Sequence, residues 1–123
     1  MLLVQAKKLG SVAVLSVKGR IVIGETETLR KAVSSLNQVS AVILDLAQVP
    51  TVDARGLGVL LELREQVESN GIRFELTHLT SWVNKVLEIT RLDTVFQITP
   101  GIEFLPTVSR NLRAPMSKLA SCA

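Results

Sequence analysis

The chain has 123 residues, of which 47% are hydrophobic and 20% charged, and its formal net charge is +3. A chain of this size and balance forms one globular domain with enough apolar residues for a core. No apolar run reaches the ~20 residues that a bilayer-spanning helix needs. No signal-peptide pattern opens the sequence either, so we expect a cytoplasmic protein without membrane insertion.

The positive charge is unevenly distributed. Residues 1–100 carry eleven Lys and Arg against ten Asp and Glu, whereas residues 101–123 carry three against one. Nucleic-acid-binding domains usually concentrate basic residues on one face and interleave aromatic residues. This chain has no Tyr and no basic stripe, which argues against nucleic-acid binding. The sequence predicts a domain over 1–100 and an extension over 101–123, formed by a short helix, a flexible tail or both.

Residues suited to catalysis or metal binding are scarce. The single histidine, His78, and the single cysteine, Cys122, argue against a zinc site built from this chain alone. No Gly-x-Ser-x-Gly turn supplies a serine for His78 to activate, and no Gly-x-x-x-x-Gly-Lys phosphate loop occurs. We therefore predict a protein that is not an enzyme, with no catalytic residues, no metal and no cofactor. The roles of Cys122 and of the basic extension stay open.

Two strands and a helix are predicted in the first third of the chain. The apolar runs Leu2–Val4 and Val12–Val17 are separated by a break at 9–11 that contains Gly10, as in a hairpin. The segment Glu25–Leu36 has the apolar spacing of one helix face. Glu25 and Glu27 are placed in its first turn, where negative charge meets the positive end of the helix dipole.

The middle of the chain predicts a buried strand followed by a long helix. Ala41–Leu46 is apolar at nearly every position, as in a parallel strand covered on both faces. The exception, Asp45, is interpreted as a carboxylate that accepts a hydrogen bond from a nearby backbone amide. A helix is predicted over 54–69, and Asn70-Gly71 is a typical stop.

The last elements are a strand over Ile72–Leu76, a third helix capped by Thr80 or Ser81, and a strand over Val95–Ile98. Trp82 falls in the first turn of the third helix, where we expect partial burial over the core, with an interface anchor as the alternative. The order β-β-α-β-α-β-α-β predicts an α/β fold. Its sheet is mixed, with four or five strands and with helices mainly on one side.

The turn between the third strand and the second helix is the most informative segment. Residues 50–61 read Pro-Thr-Val-Asp-Ala-Arg-Gly-Leu-Gly-Val-Leu-Leu. Asp53 is placed to cap the helix. Gly56 and Gly58 either let the helix begin close to the strand or approach an anion. Arg55 lies in the first turn, where a cation costs about 0.3–1 kcal/mol against the helix dipole.

This strand, turn and helix resemble the STAS domain, a module of sulfate transporters and anti-sigma factor antagonists. In phosphorylatable members the turn reads Asp-Ser-Ser-Gly or Asp-Ser-Thr-Gly, and a kinase phosphorylates the second hydroxyl. Ala54 and Arg55 occupy those two positions here, so the phosphoacceptor equivalent, Arg55, cannot be phosphorylated. The segments 19–25 and 88–96 are also similar to the family, although Val22 stands where many members have an acidic residue. The resemblance spans Leu2 to Ile98 and implies the STAS fold.

The resemblance also implies a function in regulation rather than catalysis. It suggests that the chain binds an anti-sigma factor of the serine-kinase ATPase class, releases a sigma factor and so regulates transcription without phosphorylation control. The docking region that it implies is the turn and helix over Asp53–Leu60 with the adjoining Ile23–Thr28 region. The partner-binding residues within it are Asp53, Ala54, Arg55, Gly56, Leu57, Leu60, Gly24 and Glu25. The alternative is a structural STAS subunit of an ABC-type lipid transporter or of a stressosome-like sensory assembly. We expect a monomer or a weak homodimer.

Overall fold

Five strands and three α-helices alternate along residues 2–99, the part of the chain that the structure, a computed structural model, describes. Their order confirms the predicted β-β-α-β-α-β-α-β pattern. The predicted extension over 101–123 lies outside the described residues. In chain order the elements are β1 (Leu3–Leu9), β2 (Val12–Lys18), α1 (Glu27–Ser34), β3 (Ala41–Gln48), α2 (Ala54–Glu68), β4 (Arg73–Thr77), α3 (Ser81–Ile89) and β5 (Gln97–Thr99).

The strands form one mixed sheet in the order β1-β2-β3-β4-β5. β1 and β2 are an antiparallel hairpin, and the following strands pair in parallel. Each helix connects two neighbouring parallel strands and steps in the same direction across the sheet. Because such crossovers are right-handed, all three helices lie on one face of the sheet, as predicted. The first turns of α2 and α3 therefore lie at the same end of the sheet, where β3 and β4 end.

The core lies between the sheet and the helices. Leu15, Leu44 and Leu76 are paired across β2, β3 and β4, and each is 0% exposed. Leu60 and Leu63 of α2 belong to the same apolar cluster. Since full burial of one such side chain contributes about 1.5–3 kcal/mol, this row of leucines anchors α2 to the centre of the sheet.

α1 begins two residues later than the sequence predicts. Gly24 has a φ of +85°, which is a backbone conformation that favours glycine. The Glu25 amide then donates a hydrogen bond to the Val22 carbonyl at 3.0 Å, which closes a turn before the helix. Glu27 is in the first helical turn as expected, but Glu25 is not. Glu25 instead belongs to the loop that joins β2 to α1.

The outer strands also differ from the prediction in length. β1 extends to Leu9, well beyond the predicted Leu2–Val4, because every residue from Leu3 to Leu9 pairs with β2. β5 begins at Gln97 rather than at Val95. The amides of Val95 and Phe96 both donate to the Leu92 carbonyl at 3.0 Å, so these residues close a 3-10 turn instead of pairing with β4.

A helix that crosses a bilayer has to be long and predominantly apolar. Within residues 2–99, none of the helices combines the length and the apolar character that crossing a bilayer requires.

A matched pair of leucines tests where the core lies. Leu15→Ala removes a fully buried side chain and leaves a cavity, so we expect the free energy of unfolding to fall by about 2–5 kcal/mol. Leu3→Ala, on the neighbouring strand, removes a side chain that is 52% exposed and should cost about 0.5 kcal/mol or less. Urea denaturation of both variants measures the difference. Equal losses in the two variants would contradict this core assignment.

Candidate functional site

Two connecting segments run side by side at the end of the sheet where α2 and α3 begin. One is the loop from β2 to α1 and the other is the turn from β3 to α2. The Ile21 amide donates to the Thr51 carbonyl at 3.2 Å, and the Asp53 amide donates to the Ile21 carbonyl at 3.3 Å. Ile21 and Val52 form an isolated parallel bridge. These bonds extend the β2–β3 pairing beyond both strands, so the loop and the turn form one backbone unit.

The Asp53 carboxylate fastens this unit to the second helix. One oxygen accepts the Gly56 amide of α2 at 2.8 Å, which confirms the predicted helix cap. The other oxygen accepts the Ile23 amide at 3.0 Å, across the gap to the β2–α1 loop. The Gly56 hydrogen bond, followed by the Ile23 hydrogen bond, holds the pKa of the Asp53 carboxyl below its ordinary value of 3.8. The ionised carboxylate therefore joins two loops that lie thirty residues apart in sequence.

Gly56 allows α2 to begin directly against the β2–α1 loop. A Cβ at this position would overlap the Ile21 carbonyl oxygen and would lie 2.8 Å from Val52 Cγ2. At Gly58, by contrast, a Cβ would meet no heavy atom within 4 Å. Of the two glycines in the predicted motif, Gly56 is therefore required for the close approach of α2 to the loop, and Gly58 is not.

The exposed residues around Asp53 form a continuous surface, which we name the Asp53 surface. Ala54 and Arg55 are exposed at the start of α2, and Ile23 and Gly24 are exposed in the facing loop. Ile23 is 63% exposed, an unusual position for an isoleucine. It begins the Ile23–Thr28 region that the resemblance implies as part of the docking surface, and it ends the short apolar stretch Ile21-Val22-Ile23 in the loop after β2. The Asp53 surface consists of Ile23, Gly24, Glu25, Asp53, Ala54 and Arg55.

Three predicted partner-binding residues lie beneath this surface instead of within it. Leu57 is 8% exposed and Leu60 is 0% exposed, and both belong to the core. Gly56 is buried as well, against the Ile21 carbonyl. Their assignment as partner-binding residues stays a prediction, and in the free chain Leu57 and Leu60 face the core while Gly56 faces the loop. They support the surface by fixing α2 against the sheet and the loop.

Arg55 is the charged group that stands out on the Asp53 surface. It is exposed in the first turn of α2, a turn that contains no acidic residue. Within residues 2–99, the ion pairs of the structure do not include Arg55. A guanidinium that forms no ion pair within residues 2–99, held at the positive end of a helix dipole, is suited to bind a carboxylate from another molecule.

Trp82 lies beside the same turn. It is 56% exposed, so the expected partial burial over the core is only in part correct. Its indole Nε1 donates a hydrogen bond to the Thr51 hydroxyl at 3.1 Å. The Thr80 hydroxyl donates to the Val49 carbonyl at 2.8 Å, so it ties the start of α3 to the β3–α2 turn rather than capping the helix. Both contacts place the first turn of α3 next to the Asp53 surface.

Asp45 takes the structural role that the sequence indicates. Its carboxylate accepts the Ala47 amide at 3.0 Å, which confirms the prediction. The same oxygen lies 3.3 Å from His78 Nδ1, a contact across β3 and β4 that the sequence did not indicate. Among residues 2–99, the His, Cys, Asp and Glu side chains form no group of three that could hold a metal ion.

The two glycines of the turn provide a sharp test of the close approach. Gly56→Ala should lower the free energy of unfolding by about 1–3 kcal/mol or more, because the added methyl forces α2 away from the Ile21 backbone. Gly58→Ala has open space and should raise stability by up to about 1 kcal/mol, through the higher helix propensity of alanine. Urea denaturation distinguishes the two. A tolerated Gly56→Ala would show that the helix does not approach the loop this closely.

The lowered pKa of the Asp53 carboxyl leads us to expect a specific pH dependence of the free energy of unfolding. Its pKa in the folded chain lies below the ordinary value of 3.8, so the ionised form contributes stability above that value. This contribution disappears as the pH falls through the lower folded pKa. Asp53→Asn retains the shape of the side chain but cannot accept hydrogen bonds from both amides. Wild type should therefore have the larger free energy of unfolding above ~pH 5, and the gap between the two proteins should close in more acidic solution. Urea denaturation across this range measures the gap, and a gap that is independent of pH would contradict the role of the charge.

Comparison with solved structures shows that this architecture is shared. An anti-sigma factor antagonist from Mycobacterium paratuberculosis has a TM-score of 0.75 and 21% identity, over 90% of this chain and 96% of the other. The anti-sigma factor antagonist SpoIIAA in its unphosphorylated form has a TM-score of 0.68 and 18% identity, over 90% and 100%. A sulfate transporter family protein from Wolinella succinogenes has a TM-score of 0.68 and 20% identity, over 76% and 80%. At these identities the likeness shows a common fold.

The family assignment comes from the sequence itself. The STAS domain model matches residues 4–108, which is most of the chain and overlaps every strand and helix described above. The mixed five-stranded sheet with three helices on one face agrees with that match. The chain belongs to the STAS domain family.

Proposed function

We propose that this protein is a non-enzymatic binding module of the anti-sigma factor antagonist type. It binds an anti-sigma factor of the serine-kinase ATPase class through the Asp53 surface. Occupation of that anti-sigma factor releases a sigma factor and so promotes transcription. The observation that carries the proposal is the geometry of the turn, in which Asp53 fixes two loops and Arg55 is presented to solvent.

The physical character of the Asp53 surface supports binding to a protein. Ile23 offers exposed apolar area and Arg55 offers a planar donor for a carboxylate. The backbone beneath them is fixed by hydrogen bonds before any partner arrives, so little conformational entropy is lost on binding. Solved structures of two anti-sigma factor antagonists share the fold of this chain over nine-tenths of its length.

Arg55 gives the proposed module a fixed charge. In phosphorylatable relatives, a phosphate at this position adds about −1.5 to −2 charges. An arginine cannot accept that phosphate and carries a positive charge instead. Binding is therefore constitutive, and the level of the protein, rather than its phosphorylation, sets how much anti-sigma factor is occupied.

A structural role in a transporter or sensory assembly is the second candidate. The observation that favours it is the same absence of a hydroxyl at positions 54 and 55, since a permanent subunit needs no phosphorylation switch. A sulfate transporter family protein also has this fold. The two candidates differ in the partner, so a binding assay with purified candidates separates them.

The binding assay uses the anti-sigma factor ATPases encoded in the genome of origin, each purified and titrated with the full chain by calorimetry. We expect one of them to bind, and Arg55→Glu to weaken that binding at least tenfold by placing like charges in contact. Arg91→Glu makes the same change in charge at the far end of α3 and serves as the control. Binding to a transporter ATPase alone would favour the second candidate instead.

The absence of phosphorylation control gives a separate prediction. After incubation of wild type with the bound ATPase and ATP, intact mass should show no phosphate in the turn over residues 50–60. Arg55→Ser restores a hydroxyl at the phosphoacceptor position and should gain one phosphate and lose affinity. Arg55→Ala controls for loss of the guanidinium alone. Stoichiometric phosphate on the wild-type turn, where Thr51 is the hydroxyl present, would contradict constitutive binding.

A further inference from the structure

β1 forms one edge of the sheet of residues 2–99. It stands first in the strand order, and its strand neighbour among these residues is β2. Every residue of Leu3–Leu9 pairs with β2 on that side. The other side of β1 therefore presents a row of backbone amides and carbonyls with which a further strand can pair. Addition of a strand to such an edge is a recurring way in which proteins bind one another.

The hairpin turn decides which backbone groups of β1 point away from β2. The turn has two residues, Gly10 and Ser11, and Gly10 has a φ of +65°. A turn of this length makes its flanking residues, Leu9 and Val12, a hydrogen-bonded pair. Hydrogen-bonded and non-hydrogen-bonded pairs alternate along an antiparallel ladder. The backbone groups that point outward are therefore those of Val4, Ala6 and Lys8.

The side chains of β1 follow a two-fold pattern about Ala6. Leu3 and Leu9 lie three residues before and after it, and they are 52% and 49% exposed. Both point to the sheet face opposite the helices, because Val4, which points the other way, packs against the core. If a second β1 runs antiparallel to the first and is centred on Ala6, each Leu3 lies directly opposite Leu9 of the second copy. The exposed leucines then cover each other.

The backbone hydrogen bonds fit the same register. Ala6 is exposed and its amide and carbonyl point outward, so it exchanges two hydrogen bonds with Ala6 of the second copy. Val4 and Lys8 form further hydrogen-bonded pairs on either side. The pairs of Leu3 with Leu9 fall at non-hydrogen-bonded positions, where facing side chains are closest. One register thus satisfies the outward backbone groups and brings the leucines together.

The two lysines of β1 do not oppose this register. Lysines on an edge strand commonly prevent pairing, but here Lys7 lies opposite Gln5 of the second copy and Lys8 lies opposite Val4. The Lys8 ammonium group donates to the Asn37 carbonyl at 3.0 Å, which directs its charge toward the helix side of its own chain. Two lysines are therefore never directly opposite each other.

From these observations we infer that β1 pairs with β1 of a second copy of this chain. The product is a two-fold symmetric dimer with one continuous sheet, to which each copy contributes five strands. A second copy is the occupant that fits because the edge is self-complementary, as a two-fold contact requires. β1 contributes no residue to the Asp53 surface, so the inference is independent of the proposed function, and the dimer presents two copies of that surface.

The association is tested by sedimentation equilibrium of the full chain. An interface of one strand from each copy is at the weak end of the size range, so concentrations extend to about 1 mM. Wild type should show an equilibrium between monomer and dimer. Ala6→Pro removes an outward amide without removing a hydrogen bond between β1 and β2, so the Kd of the dimer should rise at least tenfold. Thermal unfolding by circular dichroism verifies that the variant is folded.

A change of charge tests the register. Gln5→Glu places a carboxylate opposite Lys7 of the second copy, on both sides of the two-fold axis, and should lower the Kd about threefold or more. Ser16→Glu makes the same change on β2, one strand away from the edge. This control should leave the Kd within about twofold, because its carboxylate lies opposite no residue of the second copy.

Three results would overturn the inference. The first is a wild-type chain that stays monomeric over the whole range of concentration, as it would if residues 101–123 or another protein covered the edge. The second is a dimer whose Kd is unaffected by Ala6→Pro, since the two copies would then meet elsewhere. The third is a Gln5→Glu dimer that is no tighter than the Ser16→Glu dimer, since Lys7 would then not face position 5.

Discussion

The pair of hydrogen bonds at the Asp53 carboxylate is the interaction on which the functional surface depends. One oxygen holds the start of α2 through Gly56, and the other holds the β2–α1 loop through Ile23. Because a carboxylate has two acceptor oxygens, one side chain satisfies backbone amides from two separate segments. An asparagine or a serine can cap the helix but cannot accept both amides with oxygen. An aspartate at position 53 is thus needed to join the two loops as well as to cap the helix.

The close approach at Gly56 makes this geometry possible. Without a Cβ, the first turn of α2 lies directly against the Ile21 carbonyl, and the Asp53 carboxylate then lies within reach of the Ile23 amide. The buried leucines of α2 hold the helix in this position from below. The core leucines hold α2 in place, the missing Cβ of Gly56 lets the helix lie against the loop, and the Asp53 carboxylate then bonds to both. Together these contacts present Arg55 and Ile23 on a fixed backbone.

Much of this architecture could be predicted from the sequence. The apolar run of β3, the stop at Asn70-Gly71 and the period of α2 depend on neighbouring residues, so local patterns identified them correctly. The cap at Asp53 is equally local, since its partner lies three residues away. At the start of α1 and of β5, where local patterns failed, a competing local bond was responsible. The Glu25 amide closes a turn before α1, and the amides that precede β5 close a 3-10 turn.

The assembly of the site could not be predicted in the same way. The bond from Ile23 to Asp53 and the bond from Trp82 to Thr51 join residues thirty or more positions apart, and no periodicity encodes such pairs. Local patterns also could not predict which side chains of the turn are buried. Leu57 and Leu60 belong to the motif and to the apolar face of α2, and they are predicted to bind a partner, but the orientation of α2 directs both side chains into the core. The sequence thus located the turn correctly, while the sheet topology decided which of its residues reach solvent.

The most direct measurement of the central claim is amide hydrogen exchange, followed by NMR, at Ile23 and Gly56. If one carboxylate holds both segments, the two amides are protected in wild type and lose protection together in Asp53→Ala. The amide of Leu44, in the centre of the sheet, should stay protected in both proteins and reports that the fold persists. An Ile23 amide that exchanges freely in wild type, or that stays protected in Asp53→Ala, would contradict the account.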